Sequence, residues 1–263
     1  MLIFIKGAGD LASGIALRLY HARLKIVMTD LPVPTAVRRT VAFSEALRLG
    51  STEVEDVRAE RADNIEQVKD CLSRGVIPVI PDMESGIIKS LCPEVKIDAV
   101  IAKKNLGTRI DDAPLVIGVG PGFTAGVDCD AVIETKRGHT LGRVIREGSA
   151  IPNTGIPGNI GGETVNRVFR APEDGFFHPA KDFGDIVHNG DIVAYVDGTP
   201  VFAATGGIIR GMLQEGIYVT KGLKCGDIDP RGQTVDYMTV SDKAMAIGGG
   251  VLEAIMAYAG DRL

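Results

Sequence analysis

Lysine and arginine never run beyond two in succession, and 29 of them stand against 34 acidic residues, for a net charge of −5. No phosphate-tracking surface is written in such a chain, so the expected partner is a protein or a small molecule and not nucleic acid. No apolar run reaches the ~18 residues that a membrane span needs. The apolar start, Met1 to Ile5, meets Lys6 and a glycine turn at once, which leaves no room for a signal-peptide core, and a soluble, cytoplasmic protein is expected. The four cysteines form no CxxC pair, so neither a structural zinc site nor a redox dithiol is indicated and no metal site is expected. Also missing are a G-x-S-x-G elbow, a P-loop, an HExxH helix and the kinase loops. Tryptophan is absent while glycine occurs 33 times, which fits a turn-rich fold with close backbone approaches.

What is present divides in two. Through roughly the first 130 residues, apolar runs (LIFIK, KIVMT, TVAF, VIPVI, DAVIAK, LVIGV) alternate with amphipathic stretches near residues 11–22, 44–49 and 62–74. That alternation predicts an α/β domain over residues 1–130, Rossmann-like, with a largely parallel sheet. From residue 131 to 240 short strands between glycine, proline and aspartate turns predict a mainly-β domain, and residues 241–263 a C-terminal helix. Gly248, Gly249 and Gly250 interrupt that helix, so either it begins after them or a neighbouring backbone comes close. The glycine-rich residues 148–162 suit a linker or a ligand-covering loop.

Inside the β half lies a repeat, residues 171–200 and 203–232. Gly175, Gly184 and Gly190 recur 32 positions on as Gly207, Gly216 and Gly222. Units this short must pack on each other to share a core. The pattern resembles the barrel-sandwich hybrid of biotinyl and lipoyl carriers, but the matching hairpin tip, Val196-Asp197-Gly198-Thr199-Pro200, lacks the lysine that a swinging arm requires.

Gly7, Gly9 and Ala12 satisfy GxGxxA between a strand and a helix, and Asp30 ends the next strand. This is the context of a dinucleotide turn, although Asp10 would compete with a phosphate for the helix mouth or simply cap it. A parallel sheet would gather further polar groups on the same rim: Asp82, Lys103, Lys104 and Asn105, the loop containing Gly120 and Gly122, and Arg38 and Arg39 for a phosphate or carboxylate. In ETKRGHTLGRVI, strand alternation would put Arg137 and His139 on one face and Glu134 on the other. Asp227, Asp229 and Arg231 cluster at a turn that could be Mg²⁺-binding or a plain Asp–Arg contact.

Six segments occur in order: KGAGDLASGIA (residues 6–16), RRTVAFSEAL (38–47), DAVIAKKNLGT (98–108), GVGPGFTAGVDCDAVIETKRGHTLGRVI (118–145), KCGDIDPRG (224–232) and SDKAMAIGGGVLEAI (241–255). Together they resemble the YqeB-type accessory proteins of selenium-dependent molybdenum hydroxylases over nearly the whole chain. The resemblance implies a maturation factor for relatives of xanthine dehydrogenase, with a Rossmann-like half similar to the XdhC-type chaperones that handle molybdopterin cofactor. The ligand it implies is a molybdopterin-type cofactor and the partner is the hydroxylase; the rim read from the sheet, Gly7, Gly9, Asp10, Asp30, Arg38, Arg39, Lys103, Lys104, Asn105, Gly120 and Gly122, is where such a ligand is expected to be held. Alternatives are an NAD(P)-dependent oxidoreductase with Asp30 on the ribose, and a non-catalytic scaffold whose β half docks the hydroxylase. Cys129 or Cys225 as a selenium-carrying thiol is a variant of the first, and a homo-oligomer is compatible with all.

Overall fold

Short apolar runs and amphipathic helices alternate from the first residues of the computed structural model, which describes residues 1–81 and 86–260. The strands are β1 (Leu2–Lys6), β2 (Lys25–Thr29), β3 (Ser51–Val54), β4 (Val57–Arg61), β5 (Ile77–Ile80), β6 (Val95–Asp98), β7 (Leu115–Val119), β8 (Thr124–Ala125), β9 (Ala131–Ile133), β10 (Val144–Ile145) and β11 (Gly148–Ser149). The helices among them are α1 (Asp10–His21), α2 (Glu45–Leu49), α3 (Ile65–Ser73) and α4 (Gly86–Leu91). Nine strands make one mixed sheet in the order β10-β9-β7-β6-β1-β2-β5-β4-β3. It is parallel throughout its centre and antiparallel only at the β3–β4 and β9–β10 pairs. The central strands are apolar on both faces because helices or loops cover both, as a parallel sheet requires. From β1 the chain steps outward through β2, then returns to lay β6 on the other side of β1, so the winding reverses between β1 and β6.

Two expected strands end elsewhere. TVAF is a turn of 3₁₀ helix at Arg39–Val41 followed by coil, and the strand in DAVIAK stops at Asp98, after which Ile101 and Lys103 adopt positive φ (59° and 64°). Residues 134–143 are a loop between β9 and β10, not a strand, so Arg137 and His139 share no strand face.

The chain separates into two compact units, residues 1–34, 42–154 and 240–263 in the first and residues 35–41 and 155–239 in the second. The expected boundary at 130/131 therefore moves to the glycine-rich loop. β9 joins the parallel sheet beside β7 (Ile117↔Ala131), although its surroundings read as turn-rich β sequence. The C-terminal helix α5 (Asp242–Gly260) is no separate element. It lies within the first unit and runs unbroken through all three glycines. Gly250 faces the Gly142 carbonyl and Gly248 the Gly14 carbonyl, at 1.9 and 3.0 Å from where a Cβ would stand, while Gly249 faces open space. Close backbone approach is thus the reason for two of the three.

The second unit holds β12 (Val168–Arg170), β13 (Gly175–Pro179), β14 (Ile186–Val187), β15 (Ile192–Val196), β16 (Thr199–Phe202), β17 (Gly207–Met212), β18 (Tyr218–Val219) and β19 (Lys224–Asp229). They form two four-stranded antiparallel sheets, β12-β19-β17-β14 and β16-β15-β13-β18. β13, β14 and β15 begin 32 residues before β17, β18 and β19, so the sequence repeat is a structural one. The repeats interlock: β14 of the first pairs with β17 of the second, and β18 of the second with β13 of the first. One core of Phe177, Val193, Val196, Ile209, Val219 and Ile228 is shared, which is why neither copy could bury its apolar face alone. All six repeated glycines have positive φ, from 75° to 159°. The β15–β16 tip turns on Asp197 and Gly198, both at positive φ, as a two-residue hairpin demands.

Candidate functional site

The turn between β1 and α1 is built by its neighbours. Gly7, at φ 102°, donates to the Thr29 carbonyl (2.9 Å), and a Cβ there would stand 3.0 Å from the backbone of Ala99, just past β6. Gly7 is therefore required by the fold where the winding reverses. Ala8 donates its N–H to Asp30 Oδ2 and Leu31 to Asp30 Oδ1, both at 2.8 Å. Burial pushes the Asp30 carboxyl up, and these two backbone hydrogen bonds oppose it only in part. Asp30 thus fastens the turn to the end of β2.

Gly9 differs. It is the N-cap of α1 with ordinary extended angles (φ −70°, ψ −176°), no side chain caps the helix there, and a Cβ would meet nothing within 4 Å. Among the described residues nothing demands glycine at this position. Asp10 occupies the first helical turn and is not the cap.

Two further loops of the same unit adjoin the turn. A Cβ on Gly122 (φ 112°) would stand 2.7 Å from the Lys104 backbone, so residues 120–122 pack on Lys103 and Lys104, and Gly120 lies against Thr135 beyond β9. The left-handed φ of Ile101 and Lys103 stores strain of the kind that clusters at ligand sites. Asn105 is committed to the loop itself: its oxygen accepts from Thr108 N–H (2.8 Å), and its nitrogen donates to the Thr108 carbonyl (2.7 Å) and Asp128 (3.1 Å). The structure thus gathers Gly7, Gly9, Asp10, Asp30, Lys103, Lys104, Gly120 and Gly122 at the C-terminal edge of one sheet.

The remaining polar groups have the following partners. Arg38 and Arg39 belong to the second unit, where Arg38 donates to the Thr239 carbonyl (3.3 Å) and Arg39 to that of Met212 (2.9 Å), with its guanidinium 5.0 Å above the Phe183 ring. Asp82 falls outside the described residues. Glu134 is buried and accepts from the N–H groups of Thr135, Lys136 and Ile151, while Arg137 forms a two-bond ion pair with Asp242.

Lys243 escaped the sequence reading. It sits in the first turn of α5, which Gly14 and Ala244 bring against α1. Burial first, and the Arg137 charge second, push its ammonium down, with Asp10, Glu134 and Asp242 pulling the other way. A lysine where a helix N-terminus favours acids was the available signal, but its proximity to Asp10 is a tertiary fact.

The thiols of Cys129 and Cys225 are fully buried, and burial pushes both up to about 11. In the second unit all four carboxylate oxygens of Asp227 and Asp229 are engaged by Arg167, Arg210 and Arg231. Among the described residues no group of three His, Cys, Asp or Glu side chains could hold a metal ion, and no helix is long and apolar enough to cross a membrane.

A nine-stranded mixed sheet, parallel through its centre, with a glycine turn at its winding reversal defines a class, α/β proteins with a largely parallel sheet. More particularly, the chain is 51% identical over 255 residues to the "Uncharacterized protein YqeB" of Escherichia coli (strain K12), covering 97% of this chain and 47% of that protein. The chain thus spans about half the length of this curated relative. No protein-family model matches. Among solved structures, an aspartoacylase family protein from Mesorhizobium loti is 14% identical, with 86% of this chain and 84% of that one covered and a TM-score of 0.29. The ectoine utilization protein EutE (DoeB) from Ruegeria pomeroyi is 12% identical, with 78% and 57% covered and a TM-score of 0.25. At these scores neither likeness carries an argument.

Proposed function

We propose that this chain is an accessory protein of selenium-dependent molybdenum hydroxylase maturation, which holds a molybdopterin-type cofactor by its phosphate at the residue 7–9 turn and assists selenium insertion or delivery to the apo-hydroxylase. The first unit is then Rossmann-like and the second a barrel-sandwich hybrid. The observation that supports this most is Gly9: a glycine for which the described residues show no structural need, at the mouth of a twelve-residue helix, where winding reverses. Backbone N–H groups and the helix dipole suit a phosphate there, and a bare Cα lets it approach. Lys103, Lys104 and Lys243 lie on loops or helix ends of the same edge and supply positive charge. The six ordered sequence segments supply the maturation context.

The same geometry argues against a nicotinamide nucleotide. Asp30, which would accept the ribose hydroxyls, is buried with both oxygens already taken by backbone N–H groups. Calorimetric titration with either nicotinamide is expected to show no saturation.

Protein purified anaerobically from its own host is expected to carry molybdenum and pterin in near-stoichiometric amounts, read by metal analysis and oxidised-pterin fluorescence. Gly9→Asp is expected to lower bound pterin at least tenfold while leaving the melting temperature unchanged or slightly higher, since aspartate caps a helix at least as well as glycine. Pterin-free wild-type protein, or a Gly9→Asp variant that retains its pterin, would sink the reading.

A second role is favoured by one observation. Tyr195, Phe176 and Tyr218 project from the outer face of the β16-β15-β13-β18 sheet, 37%, 50% and 57% exposed, with Phe176 and Tyr218 edge-to-face at 5.4 Å. Exposed aromatics in register mark a docking face, here for the hydroxylase. Phe176→Ser with Tyr218→Ser is expected to abolish hydroxylase pull-down without lowering pterin content. Undiminished pull-down would remove this face from consideration.

A further inference from the structure

The connection from β6 to β7, residues 99–114, carries no helix, which is unusual for a parallel crossover. A cavity of about 740 Å³ lies where that helix would cover the sheet. It opens to solvent, and small-molecule pockets run from ~300 to 1,000 Å³. Its floor is one face of the sheet: Phe4 and Lys6 alternate on β1, and Lys96 on β6 stands in register beside Phe4. Ile88 and Lys89 of α4 form one wall and Ala113 part of another. Gly7 and Gly9 do not line it.

The walls are held in place. Thr108 donates to Asp98 (2.6 Å), Asn105 clasps Thr108, and the Arg109 N–H caps Asp112 (2.9 Å). Lys6 is 3% exposed and donates to the Leu106 carbonyl (3.0 Å). Of the two acids on the lining, Asp111 pairs with Arg109 and Asp112 with Lys96. The lining thus offers an aromatic and aliphatic floor with the exposed Lys89 at its edge, while Lys6 and Lys96, like the two acids, are already engaged.

We propose that this cavity is a second small-molecule site, separate from the glycine turn, for a flat organic anion: an unsaturated ring bearing a carboxylate, sulfonate or phosphate. The ring lies over Phe4 against Ile88, and the anionic group meets Lys89. Phe4 excludes water on one side, so a charge-assisted contact there is worth more than on open surface.

The probe pair is anilinonaphthalene sulfonate and its neutral counterpart N-phenylnaphthylamine, titrated by fluorescence into the full chain. Location is read from Cys92, which lines the cavity and is the exposed cysteine of the four. The sulfonate is expected to saturate at one site and slow alkylation of Cys92 by N-ethylmaleimide several-fold. Lys89→Glu, at an exposed position, is expected to weaken the sulfonate about tenfold. Ala113→Trp, which fills the cavity, is expected to remove binding and Cys92 protection together, with circular dichroism reporting that each variant is folded. Equal affinity for the neutral probe, unprotected Cys92 at saturation, or full binding by folded Ala113→Trp would each overturn the proposal. Where the tryptophan variant does not fold, Lys89→Glu decides alone: unchanged sulfonate affinity refutes the site.

Discussion

Replacing Asp227 with asparagine is expected to cost the second unit about 3–5 kcal/mol, the range found when one partner of a buried ion pair is removed. Asp227 is 1% exposed, accepts from Arg167 through one oxygen and from Arg210 through the other, and Arg210 continues to Asp229 (2.9 Å). Asparagine leaves two guanidiniums, 7% and 8% exposed, facing a neutral group. A domain is stable by only ~5–15 kcal/mol, so the loss is a large part of the whole. Urea unfolding followed in the second unit would report it as a lower midpoint at constant slope. A shift worth under about 1 kcal/mol would mean that water reaches the cluster and that these charges are not buried in solution.

The same cluster sets an acid limit. Burial pushes the Asp229 carboxyl up, and the Arg231 hydrogen bonds with the Arg210 charge more than reverse this, leaving it below the ordinary carboxylate range. A carboxylate depressed in the folded state contributes stability that is fully present above its unfolded pKa, ~3.9, and lost as pH falls through the folded value. The second unit should therefore lose stability only below about pH 4, and Asp229→Asn should flatten that slope.

The second large effect comes from the glycines of α5, and its sign changes from one residue to the next. Gly250→Ala places a methyl 1.9 Å from the Gly142 carbonyl, a backbone atom in a turn that cannot retreat without opening the loop after β9. Overpacking of this kind costs about 1–3 kcal/mol and more where backbone must move. Gly249→Ala meets open space and should instead stabilise by about 1 kcal/mol, the difference in helix propensity. Thermal melts of the two single variants separate the cases. Equal effects of one sign would show that α5 does not pack through Gly250.

These glycines show where local reading stops. GGG in a helical stretch announces either a break or a close approach, and nothing within the helix distinguishes them, because the decisive atom, the Gly142 carbonyl, lies 108 positions away. Asp30 is similar. Its place at the end of β2 followed from strand periodicity, but a carboxylate fastening the turn and one awaiting a ribose look the same in sequence, and only the 2.8 Å bond from Ala8 separates them. The membership of residues 35–41 in the second unit is likewise not legible locally, because it is made by contacts such as those of Arg38 and Arg39 with residues 239 and 212.

What the sequence determined by itself is what short windows encode. Alternating periods specified β1, β2, β5 and β7 with α1, α2 and α3, a glycine forced to positive φ marked the turn after β1, and the 32-residue glycine spacing specified a duplicated β unit. Tertiary structure decided which distant groups meet: the interlocking of the two repeats, the joining of β9 to the parallel sheet, the setting of Lys243 beside Asp10, and the helix-free crossover that leaves a cavity over Phe4. The physical reason is that backbone dihedrals and amphipathic period are local properties, while partner choice follows from burying the most apolar surface with every polar group satisfied, a condition on the whole chain.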